Sequence, residues 1–153
     1  MLTIHKISEE LFVDSFDLIA LHCTMESYAL AYHINKMVNI ALERAKDDLE
    51  INANSYPLYA YRNEVNDQEW ALIMNKIQEE ESDEGDGLFQ NSTTIKAHYL
   101  LEERKEINYL LKVSPSETLE IEKTIDAIRT IPKITMAYQL NTDSLKSKRN
   151  LIF

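Results

Sequence analysis

Residues 16–23 read Phe-Asp-Leu-Ile-Ala-Leu-His-Cys, and the centre of this stretch, from Leu18 to Leu21, is continuously apolar. A short uninterrupted apolar run is typical of a strand that is covered on both faces in the middle of a sheet. Thr24 follows and can cap a helix. Over residues 25–38 the apolar residues have the spacing of one buried helix stripe, namely Leu30, Ile34, Met37 and Val38. The stretch therefore predicts a central strand followed by a helix that packs on the sheet.

Two-residue periodicity predicts further strands after this helix. Residues 56–62 and 70–77 read as an antiparallel hairpin around a polar turn, and residues 95–103 and 107–113 read as another strand pair. Residues 40–51 fit either a continued helix or an edge strand protected by charged side chains, and we favour the strand. The middle of the chain therefore predicts a mainly antiparallel sheet.

A second helix is predicted to begin at Ser114-Pro115-Ser116-Glu117, which combines a cap, a proline at the first helical position and a glutamate that can bond back to the cap. Its apolar stripe is Ile121, Ile125 and Ile128. Pro132 ends the helix by residue 131, and a last alternating strand follows over residues 134–140. We therefore predict an α+β fold with a mainly antiparallel sheet and two helices on one face. Its order, β-α-β-β-β-β-β-α-β, corresponds to an enlarged ferredoxin-like arrangement.

Length and charge narrow the class of protein. A chain of 153 residues predicts a single domain over residues 1–153. The chain has 16 basic and 26 acidic residues, and a surface with a net charge of −10 repels the phosphates of nucleic acids and of anionic membranes. Both glycines and six of the carboxylates fall between residues 78 and 87, so we expect a flexible acidic loop over residues 78–94.

Several absences in the sequence exclude common classes of function. The sequence has one cysteine, and it shows neither the basic and apolar segments of a signal peptide nor an apolar run long enough to cross a bilayer. Together these features predict a cytoplasmic protein without a membrane contact. With only two glycines, the chain lacks the glycine-rich loops that bind nucleotides. The four histidines have no metal-ligand spacing, so we expect neither a metal nor another cofactor.

The junction between the first strand and the first helix is the most suggestive place for a pocket. Its candidate lining residues are His22, Cys23, Glu26 and Tyr28. A thiol at a helix N-terminus can become nucleophilic, but cysteine is also among the most buried residue types, so Cys23 fits either a nucleophile or a core residue. Because side chains alternate along a strand, His22 and Cys23 must lie on opposite faces. No catalytic residue is therefore assigned.

Two groups of residues are candidates for protein contacts. Tyr59 and Tyr61 fit either an exposed aromatic surface or half-buried positions in the sheet. The tail, residues 144–153, is basic and then ends in Leu151, Ile152 and Phe153. Large apolar side chains are costly to leave in water, so this end should pack on its own sheet, on a second subunit or on a partner.

The chain resembles the IPExxVDY family of small bacterial proteins. The resemblance rests on residues 16–22 leading into 28–32, on 55–59, on 109–113 and on the end of the chain, 145–153. Ile107-Asn108-Tyr109 is similar to the second half of the naming motif, whereas Glu102, Glu103 and Arg104 stand where Ile-Pro-Glu would be expected. The resemblance implies a divergent member, in the bacterial cytoplasm, of a family without an assigned activity, cofactor or catalytic residue.

Two functions remain open at this point. The first is a non-catalytic protein-interaction or regulatory domain that binds an unknown protein or a second copy of itself through its sheet or tail. The alternative is a small-ligand-binding protein or an enzyme with a pocket near the first strand–helix junction. A third, nucleic-acid binding, requires Lys105, Lys112 and the tail cations to cluster.

Overall fold

A computed structural model describes residues 15–82, 93–115 and 118–153, apart from the side chains of residues 118 and 119. The strands and helices in these ranges are, in chain order, β1 (Asp17–Cys23), α1 (Ser27–Val38), β2 (Glu43–Arg44), β3 (Leu49–Ile51), β4 (Asn54–Tyr56), β5 (Leu58–Asn63), β6 (Gln68–Met74), β7 (Lys76–Ser82), β8 (Thr93–Tyr99), β9 (Tyr109–Ser114), α2 (Thr118–Arg129) and β10 (Ile134–Leu140). Short 3-10 helices lie at Glu102–Arg104, Thr142–Ser144 and Lys148–Leu151.

The main sheet has six strands in the order β10-β1-β9-β6-β5-β2, and every neighbouring pair is antiparallel. β1 lies between β10 and β9, and its residues from Leu18 to Leu21 are fully buried. The prediction of a central strand is therefore confirmed, as is the α+β class. The ferredoxin-like comparison stays a prediction.

Both helices cover one face of this sheet. Their buried side chains pack in one cluster with the strand residues that point to that face, and the helix members are Leu30, Ala31, Ile34, Ile121, Ile125 and Ile128. From the strands, Ile19 and Leu21 contribute from β1, and Trp70 and Leu72 from β6. This arrangement follows from period two in the strands and the helical spacing of the isoleucines.

The opposite face of the sheet is also buried, although neither α1 nor α2 covers it. Leu18, Ala20, Ile73 and Leu110 point to this side. Their cover comes from the β3–β4 hairpin, from the irregular segment after β8 and from the end of the chain, through Tyr56, Leu100, Leu101, Ile107, Leu145 and Leu151. The sheet is thus the middle of three layers, and the third layer is built largely from short and irregular segments.

The predicted strand pair over residues 95–103 and 107–113 is wrong. β8 pairs with β7 in a separate two-stranded sheet, whereas β9 pairs with β1 and β6. The acidic loop predicted over residues 78–94 is too long at both ends, because residues 78–82 belong to β7 and residues 93–94 belong to β8. Residues 83–92 of that loop lie outside the described part of the chain.

The helix boundaries also differ from the prediction. Glu26, rather than Thr24, occupies the cap position of α1, and its side chain makes no capping hydrogen bond. α2 begins at Thr118, three residues after Pro115. The rest of the predicted capping box, residues 116 and 117, falls outside the described residues. Neither helix in the described ranges is long and apolar enough to cross a membrane.

Candidate functional site

A cleft of about 750 Å³ opens where β1 ends and α1 begins, and we call it the junction cleft. It forms because the chain leaves the sheet at Cys23, while the β3–β4 hairpin and the β6–β7 connection stand on its other sides. The lining residues used below are Cys23, Glu26, Lys76, Asn108 and Tyr109. The cleft lies at the junction for which the sequence analysis named candidate pocket residues, and their role in binding stays a prediction.

The junction cleft includes only two of the four predicted pocket residues. Cys23 and Glu26 line it, whereas His22 and Tyr28 do not. His22 points to the other face of the sheet, as alternation requires, and its Nε2 lies 3.0 Å from the hydroxyl of Tyr138. Tyr28 is on the outer side of α1 with 68% of its surface exposed. Neither residue belongs to the cavity.

Cys23 is held as a core residue. The residue is buried in the cluster beneath the helices, and its main-chain N–H donates to Oδ1 of Asn108 at 2.9 Å. Burial raises the pKa of the Cys23 thiol, and the opposing hydrogen bond from the Met25 N–H is the smaller effect. A thiol with a raised pKa remains protonated near neutral pH, so this residue lacks the thiolate that a nucleophile requires.

Tyr109 and Asn108 shape the cleft, and the sequence did not identify them as site residues. The Tyr109 hydroxyl donates to the carbonyl oxygen of Met25 at 2.6 Å, which ties the turn before α1 to β9. Burial raises the pKa of Tyr109 to about 12, so the hydroxyl stays neutral. Asn108 accepts from Cys23 through Oδ1, while its Nδ2 donates to no described residue. Tyr109 had been recognised only as one member of an alternating strand.

Glu26 is the acidic group of the cleft that has no partner in the described part of the chain. Its carboxylate makes no hydrogen bond and no ion pair there, whereas Glu79 lies 3.3 Å from Nε2 of His98. Lys76, on the far side of the cleft, lies 6.0 Å from the centre of the Tyr99 ring. The lining of the cleft thus includes the unpaired carboxylate of Glu26, the amide of Asn108 and the ammonium group of Lys76.

The aromatic residues predicted for protein contacts are not an exposed surface. Tyr59 and Tyr61 are half-buried and pack against the cluster beneath the helices. The exposed tyrosines are instead on α1, at Tyr28 and Tyr32. The reason is that β5 lies inside the sheet, between β6 and β2, so that side chains on the helix-facing side are covered.

The tail packs on its own chain. Leu151 is fully buried on the second face of the sheet, whereas Ile152 and Phe153 are 37% and 48% exposed. Glu103 accepts hydrogen bonds from the N–H (2.8 Å) and the hydroxyl (2.7 Å) of Ser147, which fix the tail to the segment after β8. Burial raises the pKa of Glu103, but these hydrogen bonds outweigh it and lower the pKa overall. The tail is part of the fold.

Lys112 lies beneath this tail. It is only 5% exposed, and its Nζ donates to the carbonyl oxygen of Leu151 at 2.6 Å and lies 4.0 Å from the centre of the Phe153 ring. Burial lowers the pKa of Lys112 to about 8. Since this ammonium group is buried, it cannot join Lys105 in a basic surface, and the condition set for nucleic-acid binding is not met.

β7 and β8 form an exposed two-stranded ribbon, which we call the acidic ribbon. The strands pair over their whole length, and nearly all their side chains are exposed. Lys96 and Glu81 form a cross-strand ion pair at 2.7 Å. Glu80 lies opposite Ile95, whose surface is 60% exposed.

The described part of the chain has no recognisable metal centre, and the chain has no match among known proteins. No group of three or more metal-binding side chains occurs within the described residues. Comparisons with protein-family models, with curated proteins and with solved structures find no match to this chain. The resemblance to the IPExxVDY family therefore stays a prediction, and a functional assignment must be argued from the molecule itself.

Proposed function

We propose that this protein is a non-catalytic ligand-binding domain and that the junction cleft is its binding site. The observation that carries the proposal is the cavity of about 750 Å³ at the end of the central strand, whose lining includes the carboxylate of Glu26 without a partner among the described residues. Small-molecule sites commonly have volumes of roughly 300–1,000 Å³. The cleft is therefore large enough for a metabolite-sized compound.

The unpaired groups indicate the chemistry of the ligand. The carboxylate of Glu26 has no hydrogen-bond or ion-pair partner among the described residues, and Nδ2 of Asn108 is a free donor. An ammonium group is the natural partner of such a carboxylate. The net charge of −10 also favours a cationic compound over an anionic one. We therefore expect a small polar molecule that carries an amino group beside a hydrogen-bond acceptor.

The chemistry of the cleft favours binding over catalysis. The raised pKa of the Cys23 thiol and the pKa of about 12 for Tyr109 keep both groups protonated at neutral pH. A general base or nucleophile works best with a pKa near the operating pH. The lining side chains thus supply recognition groups rather than an activated pair.

Native mass spectrometry tests the proposal. The purified full chain is screened against small amines, with the free amino acids arginine and lysine as probes, since both carry an amino group beside a carboxylate. The Glu26→Gln variant is compared with Glu43→Gln, an exposed glutamate on β2. We expect Glu26→Gln to weaken amine binding by at least about tenfold, since charge-assisted hydrogen bonds contribute about 1.5–3 kcal/mol. Equal binding by both variants would refute the assignment of the carboxylate, and the absence of amine binding by the wild type would refute the ligand class.

The acidic ribbon supports a second candidate, a protein-interaction function. An isolated two-stranded hairpin is at best marginally stable in water, yet this ribbon has almost no buried side chains. A partner that covers Ile95 would supply the missing burial. The test is co-purification with the double variant Glu80→Lys and Ile95→Ser, using Val65→Ser in the β5–β6 turn as control, because Val65 is also exposed. Retention of a stoichiometric partner by the double variant would exclude the ribbon as its contact.

A further inference from the structure

The two edges of the six-stranded sheet differ in length and in charge. β2, at one edge, has only two residues, and both are charged, Glu43 and Arg44. β10, at the other edge, has seven residues, and none of them is charged. Among the described residues, no strand pairs with the outer side of β10. One edge is therefore short and charged, whereas the other offers a full-length uncharged strand.

Proteins usually protect such an edge, because its free main-chain groups can pair with another chain. The common devices are short strands, charges, prolines and bulges, and β2 has two of them. β10 has one irregularity, at Thr135 near its start, where the register with β1 shifts between His22 and Cys23. The rest of β10 pairs regularly, and it has an exposed methionine, Met136, with 54% of its surface accessible. Its only cover in the described structure is Arg129, whose Nε donates to the carbonyl oxygen of Ala137 at 2.9 Å.

We infer that β10 pairs antiparallel with β10 of a second copy of this chain, which joins two six-stranded sheets across a two-fold axis. The argument for a second copy is self-complementarity. An antiparallel strand pair about a two-fold axis places the same residues on both sides, and a strand without charge introduces no like-charge repulsion. A carbonyl oxygen has two lone pairs, so the Arg129 contact leaves Ala137 one further acceptor position.

The neighbouring helix is compatible with this pairing. α2 packs beside β10, and both of its basic residues are paired with carboxylates within the helix. Lys123 lies 3.5 Å from Glu120, and Arg129 lies 3.2 Å from Asp126. With three carboxylates and two basic groups, each copy of α2 would bring only a small net negative charge to the two-fold axis, although the whole chain has a net charge of −10.

Sedimentation velocity on the full chain at about 1 to 200 µM tests the inference. The wild type should sediment as a dimer in the upper part of this range, and Met136→Lys should raise the dissociation constant at least about tenfold. Val65→Lys is the control, since Val65 is an exposed apolar residue in the β5–β6 turn, outside both proposed contact surfaces. This control should sediment like the wild type. Both substituted residues are exposed, so unchanged circular dichroism should confirm that the variants are folded.

Hydrogen exchange separates a second copy from other covers of the edge. Amide protons of β10 that face outward should be protected at high protein concentration and exchange faster on dilution. Protection that is independent of concentration would indicate cover from within the same chain and would overturn the inference. A wild type that stays monomeric throughout the range, or a Met136→Lys variant that remains dimeric, would also overturn it.

Discussion

Replacing Asn75 with alanine tests whether one buried amide holds the third layer of the protein to the sheet. Asn75 is fully buried between β6 and β7. Its Nδ2 donates to the carbonyl oxygens of Arg104 (2.9 Å) and Ile107 (3.0 Å), and its Oδ1 accepts from the N–H of Leu101 (2.8 Å). These bonds fix the irregular segment that covers the second face.

The expected loss of stability follows from the hydrogen-bonding groups that Asn75→Ala would leave without a partner. After Asn75→Ala, the N–H of Leu101 and the carbonyl oxygen of Ile107 would be buried without a partner, and each such group costs about 1–3 kcal/mol. The carbonyl oxygen of Arg104 is partly exposed and can be hydrated. We therefore expect a decrease of about 2–5 kcal/mol in the free energy of unfolding, a large share of the roughly 5–15 kcal/mol typical of a domain.

Urea unfolding measures this loss, with fluorescence of the buried Trp70 as the probe. Asn66→Ala is the control, because Asn66 is exposed in the β5–β6 turn and should change stability by less than about 0.5 kcal/mol. A decrease below about 1 kcal/mol for Asn75→Ala would refute the reasoning, since even one unsatisfied buried group should cost that much.

Asn75→Asp adds a pH test at the same position. The ionised carboxylate keeps the bond from Leu101 but faces the two carbonyl oxygens without a proton to donate. Its pKa in the folded state should therefore rise above the unfolded value of about 3.9. The protonated form would be favoured in the folded protein, so the stability of this variant relative to the wild type should decrease as the pH rises through the folded pKa.

Three further predictions concern the tail and the cleft. Burial lowers the pKa of Lys112 to about 8, so between about pH 8 and 10.5 the unfolded chain binds more protons than the folded chain. The stability of the wild type relative to Lys112→Met should therefore rise with pH in this range, by at most about 3 kcal/mol. Urea unfolding at several pH values measures this rise. Leu151→Ala should cost about 2–5 kcal/mol and Ile152→Ala less than about 1 kcal/mol, and equal losses would contradict the packing of the tail. Cys23 should react with a maleimide only after unfolding, and labelling of the native chain at the rate of a free thiol would contradict its buried position.

The sequence predicted much of the sheet because side-chain alternation is a local property. Alternation along β5 predicts that Tyr59 and Tyr61 share one face and that Leu58 points to the other. In the structure both tyrosines face the helices and Leu58 faces the opposite side. The helix stripe of Ile121, Ile125 and Ile128 is buried as predicted. Strand pairing was harder, because alternation is equally compatible with several neighbours. The segment from residue 95 was therefore assigned to the wrong partner.

The sequence indicated the first strand–helix junction as a candidate site but named only two of the residues that line the cleft there. Cys23 and Glu26 reach the junction cleft because Cys23 ends β1 and Glu26 comes three residues later, and both positions can be read from the sequence. Tyr109 and Lys76 come from β9 and β7, far away along the chain, and no local pattern connects them to that end. Their presence in one cavity depends on the strand order.

The sequence by itself determined the class of fold, the central strand and the face to which the side chains of β1 and β5 point, since these properties depend on the spacing of apolar side chains along a few turns or strands. Only the tertiary structure decided which strands are neighbours, that the tail buries Leu151 and that β10 is left as an uncharged edge. Those outcomes depend on contacts between segments that are distant along the chain. The side chain of Asn75 is an example, because it can form its hydrogen bonds with Leu101 and Ile107 only when the fold brings these residues together.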